Sequence, residues 1–264
     1  MSEKKIKCIS PLKCVNEILE NNYTIENDYL YFYYYIERVN APQDKKPVWD
    51  DYYSKLLINL NQRAESMKKM FQNPAPITML YQPEKLIIGH GGNHAHDFPL
   101  LCLHPVYGVP YIPGSAVKGV LRSAWIHERF QGEEENALAD TDFVNLFGKG
   151  MENDTGKKGS LVFLDAYPME SYTVGWDFQT PHYSQYYRNK GKEQPTDDGN
   201  PIPICFPYVK NTKFELVIGM SSSAGPAATE IEQMLRIALQ SYGLGAKTAL
   251  GYGLMAPEMQ KEST

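Results

Sequence analysis

Apolar positions recur at helical spacing in the first third of the chain and in short, glycine-broken runs after it. Cys14, Val15, Ile18 and Leu19, then Tyr29 to Ile36, then Trp49, Tyr53, Leu56, Leu57 and Leu60 each mark one helix face. The polar, proline-bearing segment 40–47 reads as a connection between two such helices. Residues 1–75 are therefore expected to form a helical extension, and 76–264 a mixed domain with loop insertions. Tyr33, Tyr34 and Tyr35 invite a base-stacking reading, but aromatics on an amphipathic helix more commonly fill a core.

From about residue 84 the pattern is that of strands mixed with helices. Segments 86–88 and 100–103 are candidate strands flanking a loop rich in glycine and histidine. Val117, Val120, Leu121, Ala124 and Trp125 then predict a helix from Ser115 to about Phe130. Acidic Glu133 to Glu135 lead into a short apolar segment ending Leu146-Phe147-Gly148, and a polar loop over 149–159 enters a strand at 161–164. Residues 188–200 have the composition of a surface loop. A strand over 214–218 follows. Thr229 with Glu232 makes a capping-box pattern for a second helix carrying Ile231, Met234, Leu235, Ala238 and Leu239. A last short strand is expected at 252–255. The order strand, helix, strand, strand, helix, strand predicts an α+β, ferredoxin-like (RRM-like) unit, the architecture of RNA-recognition modules.

With 264 residues, 42% of them hydrophobic, the chain has enough material for one large or two small domains. Its 26 Lys and Arg against 31 Asp and Glu give a net charge of -5, which argues against a free-standing nucleic-acid binder. A subunit with one basic face inside a larger assembly remains compatible with that balance. Cys8, Cys14, Cys102 and Cys205 are dispersed, as expected in a reducing compartment. No segment reads as a secretory h-region or a membrane span, so a cytoplasmic protein without membrane contact is expected.

Residues 111–122, Tyr-Ile-Pro-Gly-Ser-Ala-Val-Lys-Gly-Val-Leu-Arg, carry the first chemistry. Pro113 and Gly114 break the preceding strand, Ser115 is a candidate N-cap, and Lys118 and Arg122 share a face four residues apart. A helix start offers unpaired N–H groups and the positive end of the macrodipole, so two further cations there suit a phosphate. The same pattern fits a capped amphipathic helix with solvated cations. A second stretch, 243–253, reads Gly-Leu-Gly-Ala-Lys-Thr-Ala-Leu-Gly-Tyr-Gly. It fails the P-loop spacing, because Ala246 precedes Lys247 and the loop follows a helix. Glycines such as Gly245 would still bring backbone amides near a ligand, and Lys247 with Thr248 would hold a phosphate. A plain glycine-terminated helix and turn is the competing reading.

His90, His94, His96 and Asp97 crowd one loop, a weak pattern for a metal that fits loop imidazoles better, so no metal or cofactor is expected. Residues 176–187 combine aromatics with His182 just before Arg188, Lys190 and Lys192. Such a pairing suits single-stranded RNA through stacking and phosphate contact, and equally a protein interface. His182 is a possible general base, yet no nucleophile motif accompanies it.

Residues 112–119 with Leu121 and Arg122, together with 245–253, resemble the paired signatures of RAMP proteins, the repeat-associated proteins of CRISPR systems. Leu146-Phe147-Gly148, the segment 161–168 and Thr180-Pro181-His182-Tyr183 look like those of the RAMP subunits of the Cmr complex, the type III-B RNA-silencing effector. The resemblance covers roughly 84–256, and the histidine loop at 89–96 departs from it. It implies a cytoplasmic, non-catalytic subunit of a ribonucleoprotein, working with guide RNA, target RNA and other RAMP subunits of the Cmr complex, with no small-molecule substrate. This subunit would sit near the guide's 3' end. The implied RNA-binding set is Gly114, Ser115, Lys118, Arg122, His182, Tyr183, Arg188, Gly245, Lys247 and Thr248, with Tyr186 a further stacking or interface candidate. The Asp of cleaving relatives has no match here, and Asp165, inside an apolar strand pattern, is expected to be buried and structural. The alternative within the family is a metal-independent endoribonuclease that processes guide RNA through His182.

Overall fold

The computed structural model describes residues 51–71, 74–89, 91–92, 99–150, 156–180, 203–221 and 228–255, with positions 186, 192 and 194. The helices expected before residue 51 lie outside these residues. In chain order the elements are α1 (Asp51–Lys68), β1 (Ile77–Tyr81), β2 (Gly91–Gly92), β3 (Pro99–Leu100), α2 (Gly114–Phe130), α3 (Glu134–Ala139), α4 (Thr141–Phe147), β4 (Gly148–Lys149), β5 (Lys157–Lys158), β6 (Leu161–Phe163), β7 (Thr173–Gln179), β8 (Ile204–Lys210), β9 (Phe214–Met220) and α5 (Ala228–Ile237). The fold is α+β.

The central sheet runs β1-β9-β6, antiparallel throughout. In β1, Ile77, Met79 and Tyr81 are buried while Thr78 and Leu80 face out, the alternation of a strand with one covered face. Met79 pairs with Leu216 and Phe163 with Ile218, so β9, in the middle, is apolar almost throughout. On the far side of β1, Pro83 bridges to Met255. Helices α2 and α5 pack on each other. Their buried residues, Val117, Leu121, Ala124 and Trp125 from α2 and Ile231, Met234 and Leu235 from α5, join the sheet residues in one core. The buried Tyr81 hydroxyl donates to the Gly253 carbonyl, tying β1 to the C-terminal turn, and burial pushes its pKa well up.

The opposite sheet face is not open as in a bare RNA-recognition module. Lys68, at the end of α1, pairs with Glu215 of β9 at 2.5 Å, and the Phe71 ring fills the space over Gly219. Leu57 and Leu60 of α1 are buried, as their spacing predicts.

Several elements differ from the sequence expectation. Strands β7 and β8 form a hairpin in register from Thr173–Lys210 to Gln179–Ile204 that the pattern does not announce. Segment 86–88 is not a strand; Leu86 makes a single bridge to Val209. The last strand shrinks to the bridge at Met255. Residues 133–147 form two short helices, the second capped by the Asp140 carboxylate, which accepts from the Phe143 amide at 2.7 Å. Helix α5 begins at Ala228, which puts Thr229 inside the first turn rather than at the cap. Among the described residues no helix is long and apolar enough to cross a membrane.

Candidate functional site: a basic cleft beside α2

Helix α2 starts where the chain crosses the end of β6. Ile112 and Ala166 exchange backbone hydrogen bonds at 2.8 and 2.9 Å, which brings Gly114 beside Asp165. The Gly114 amide donates to Asp165 Oδ1 at 2.8 Å. A side chain at position 114 would run into the Phe163 carbonyl, so glycine is required by the close approach of helix to strand. Two expectations are corrected here. Ser115 is not the N-cap: Pro113 occupies that position without a side-chain cap, and Ser115 lies exposed within the first turn. Asp165 is exposed rather than buried, because β6 ends at Phe163 and breaks the alternation before it. Its carboxylate already serves the positive end of α2, so an anion meets this helix along its side.

That side carries Lys118 and Arg122, one turn apart. They line an open cleft of about 430 Å³ together with Lys149, Lys157, Lys158 and Glu134. The last three lysines arrive on the small β4–β5 ladder, in which Gly148 pairs with Lys158 and Lys149 with Lys157. Five cationic side chains thus face the carboxylate of Glu134 in one cleft. Arg122 donates to Glu134 at 2.6 Å, and its guanidinium sits 5.3 Å from the Phe143 ring centre. Lys157 donates to Asn145. Lys118, Lys149 and Lys158 have no partner among the described residues. Chemically the cleft suits a flexible polyanion, because its charge sits on long, movable stems.

The glycine-rich turn lies elsewhere. Leu244 donates to Gly253, Ala246 to Ile87 and Gly253 to Lys85, so much of its backbone is spent inside the protein. Gly245 has φ +100° and would meet the Ile87 carbonyl if it carried a Cβ. Its glycine answers a packing demand. Lys247, in the left-handed region at φ 58°, donates to Gln179 and lies 4.7 Å from the Phe206 ring centre. Thr248 begins a 3₁₀ turn. Nearby, Lys85 pairs with Asp177 at 2.8 Å, over the rings of Tyr208 and Tyr252. The Tyr252 hydroxyl also donates to Asp177 at 2.7 Å. Burial pulls the Asp177 pKa upward, but the Lys85 ammonium, the Tyr252 hydroxyl and the Phe178 amide outweigh it and hold the carboxyl below its usual range.

The structure therefore brings Lys118 and Arg122 together and sets Lys247 against the β7–β8 hairpin, with Gly245 packed on the Ile87 carbonyl and Thr248 in the same glycine-rich turn. No residue of the 243–253 turn lines the basic cleft. His182, Tyr183 and Arg188, like His90, His94, His96 and Asp97, lie outside the described residues; Tyr186 is partly buried. Sequence reasoning missed Lys149, Lys157 and Lys158. The available signal was a lysine pair flanking a glycine-bounded loop, but only the ladder reveals that they face α2.

What fold and cleft define is an α+β domain with a polyanion-compatible groove on one helix flank. The chain belongs to the RAMP superfamily, whose family model matches residues 84–256. It is 26% identical over 267 residues to the CRISPR system Cmr subunit Cmr6 of Pyrococcus furiosus, covering 82% of this chain and 75% of that one. It is 30% identical over 153 residues to Cmr6 of Saccharolobus solfataricus, covering 57% of this chain and 45% of the relative. Among solved structures it resembles a chain of the type III-B Cmr-beta assembly bound to cognate target RNA. That match has a TM-score of 0.54 and 24% identity, and covers 76% of this chain and 63% of the other.

Proposed function

We propose that this chain is a cytoplasmic, non-catalytic RNA-binding subunit of a type III-B CRISPR (Cmr) ribonucleoprotein, the counterpart of Cmr6. It holds the guide RNA near its 3' end and so contributes to silencing of invading RNA. The observation that carries the reading is the cleft in which Lys118 and Arg122, from the family-like motif, meet Lys149, Lys157 and Lys158. Contacts to phosphate are indifferent to sequence, which is what a holder of arbitrary guides needs. Both curated relatives carry the Cmr6 name. A ferredoxin-like ancestry is supported by the lateral order Met255, β1, β9, β6, with α2 and α5 packed together. Asp165 is engaged with Gly114, which favours a structural role for it over cleavage.

The test is reconstitution with the sister subunits and ultraviolet crosslinking to guide RNA. Wild-type protein should crosslink and co-purify with a guide-length RNA, and the Lys118→Ala/Lys158→Ala double variant should assemble with the sister proteins but lose most of the crosslink. Equal crosslinking in the two would remove the cleft from the account. Guide-precursor RNA left intact by the isolated chain supports the non-catalytic assignment, and cleavage abolished by His182→Ala would replace it with an endoribonuclease.

A further inference from the structure

A second cavity, of about 90 Å³, lies between α1 and the segment after β6, away from the basic cleft. Leu60, Met67 and Leu164 supply apolar lining, and Arg63, Asp165 and Tyr167 supply chemistry. The space is several times the ~10–15 Å³ that one water needs, so it suits one flat ring entering edge-first better than a peptide segment. Tyr167 is a braced wall: it stacks on Tyr111 with centroids 6.0 Å apart and meets Tyr107 edge-on at 6.2 Å. Tyr107 in turn stacks on His104 at 4.2 Å.

Each of the two charged groups keeps part of its hydrogen-bonding capacity. Arg63 donates to the Tyr107 hydroxyl at 3.4 Å and has no ion pair among the described residues. Asp165 uses Oδ1 for the Gly114 amide, and Oδ2 has no partner among the described residues. His104 adds no charge at neutral pH. Its Nδ1 accepts from the Val106 and Tyr107 amides, both at 3.3 Å, and burial pulls its pKa down. An anionic ligand meets Asp165 and a cationic one meets Arg63. A neutral ring with a donor edge beside an acceptor edge satisfies both.

We propose that the Arg63–Asp165–Tyr167 cavity is a binding site for a single unpaired guanine base. Its N1–H and exocyclic amine point to the free carboxylate oxygen, its O6 and N7 accept from Arg63, and its face lies on Tyr167. Adenine has no adjacent pair of ring and amino donors for the carboxylate, and uracil flanks its one N–H with carbonyls. The site recognises the base itself and works independently of the basic cleft.

The test titrates guanosine, adenosine and uridine, which carry no phosphate, into the full chain by calorimetry. Wild type and Lys118→Ala should bind guanosine about ten-fold more tightly than adenosine or uridine. Arg63→Ala and Asp165→Asn should lose that discrimination while melting cooperatively, since Arg63 is exposed and Asn keeps an acceptor for the Gly114 amide. Equal affinity for the nucleosides in wild type, or a preference for guanosine that survives in both variants, would overturn the proposal. Neither result touches the lysine cleft, whose failure would appear only with RNA.

Discussion

Asp165 and Gly114, 51 residues apart in the chain, meet through a carboxylate-to-amide hydrogen bond of 2.8 Å at the start of α2. The contact places a negative charge on the helix's positive end and joins the helix to the end of the central sheet. Asp165→Ala should cost about 1–2 kcal/mol, the usual range for loss of a cap with charge assistance, and Asp165→Asn less. Urea unfolding of the two variants beside wild type measures it; equal midpoints in all three would show that the cap contributes nothing.

Leu121, fully buried beneath the cationic face of α2, holds that face in place. Leu121→Ala should cost about 2–5 kcal/mol through the lost burial and the cavity left behind. The same unfolding assay reads it, and a loss under about 1 kcal/mol would mean that the core closes over the gap.

The pair of Lys85 and Asp177 makes stability depend on pH at both extremes. Hydrogen bonding to Asp177 raises the Lys85 pKa, against burial, and Asp177 is lowered by its partners. The Asp177 contribution is therefore present above its unfolded pKa, about 3.9, and is lost as pH falls through the lower folded value. The Lys85 contribution is complete below its unfolded pKa, about 10.4, and is lost as pH rises through the higher folded value. Both groups are partly exposed, so the effects are small and salt-sensitive. Asp177→Asn should flatten the pH profile of the urea midpoint at both ends; an unchanged profile would remove the pair from the stability account.

Glu134 competes with any anion for Arg122, at 2.6 Å. Glu134→Gln keeps the side-chain size and removes the charge, so RNA affinity at low salt should rise several-fold, with the gain shrinking as salt increases. Fluorescence anisotropy with a labelled single-stranded RNA checks this, and a fall in affinity would show that Glu134 positions Arg122 for binding.

Helix α2 was legible in the sequence because Val117, Leu121 and Ala124 keep one phase over two turns and Gly114 marks the break. Strand β9 was legible as the apolar run 214–218, whereas β1 and β7 were not. In β7, Thr173, Val174 and Gly175 are buried in succession, so no polar–apolar alternation betrays the strand, and its Trp176 and Phe178 read with the aromatic segment 176–187 as RNA or interface contacts. Two of the five cleft cations were readable for the same reason as α2: Lys118 and Arg122 are a helical pair. Lys149, Lys157 and Lys158 reach it through pairing of two two-residue strands, a tertiary event with no local periodicity. The glycines of 243–253 looked like a ligand cradle, whereas Gly245 is explained by the nearby Ile87 carbonyl. Glycine marks close approach without saying whether ligand or chain does the approaching.

In the proposed function, α2 and the β4–β5 ladder grip a ribose-phosphate chain by charge. The most direct measurement is the salt dependence of guide-length, single-stranded RNA binding by wild type and by the Lys118→Ala/Lys149→Ala/Lys158→Ala triple variant. Each lysine that neutralises a phosphate contributes about 0.7 to the slope of log K against log salt on a single strand. The account predicts a slope shallower by about 2 in the variant, with weaker binding at every low-salt point and an unchanged melting curve. Identical slopes and affinities would contradict it.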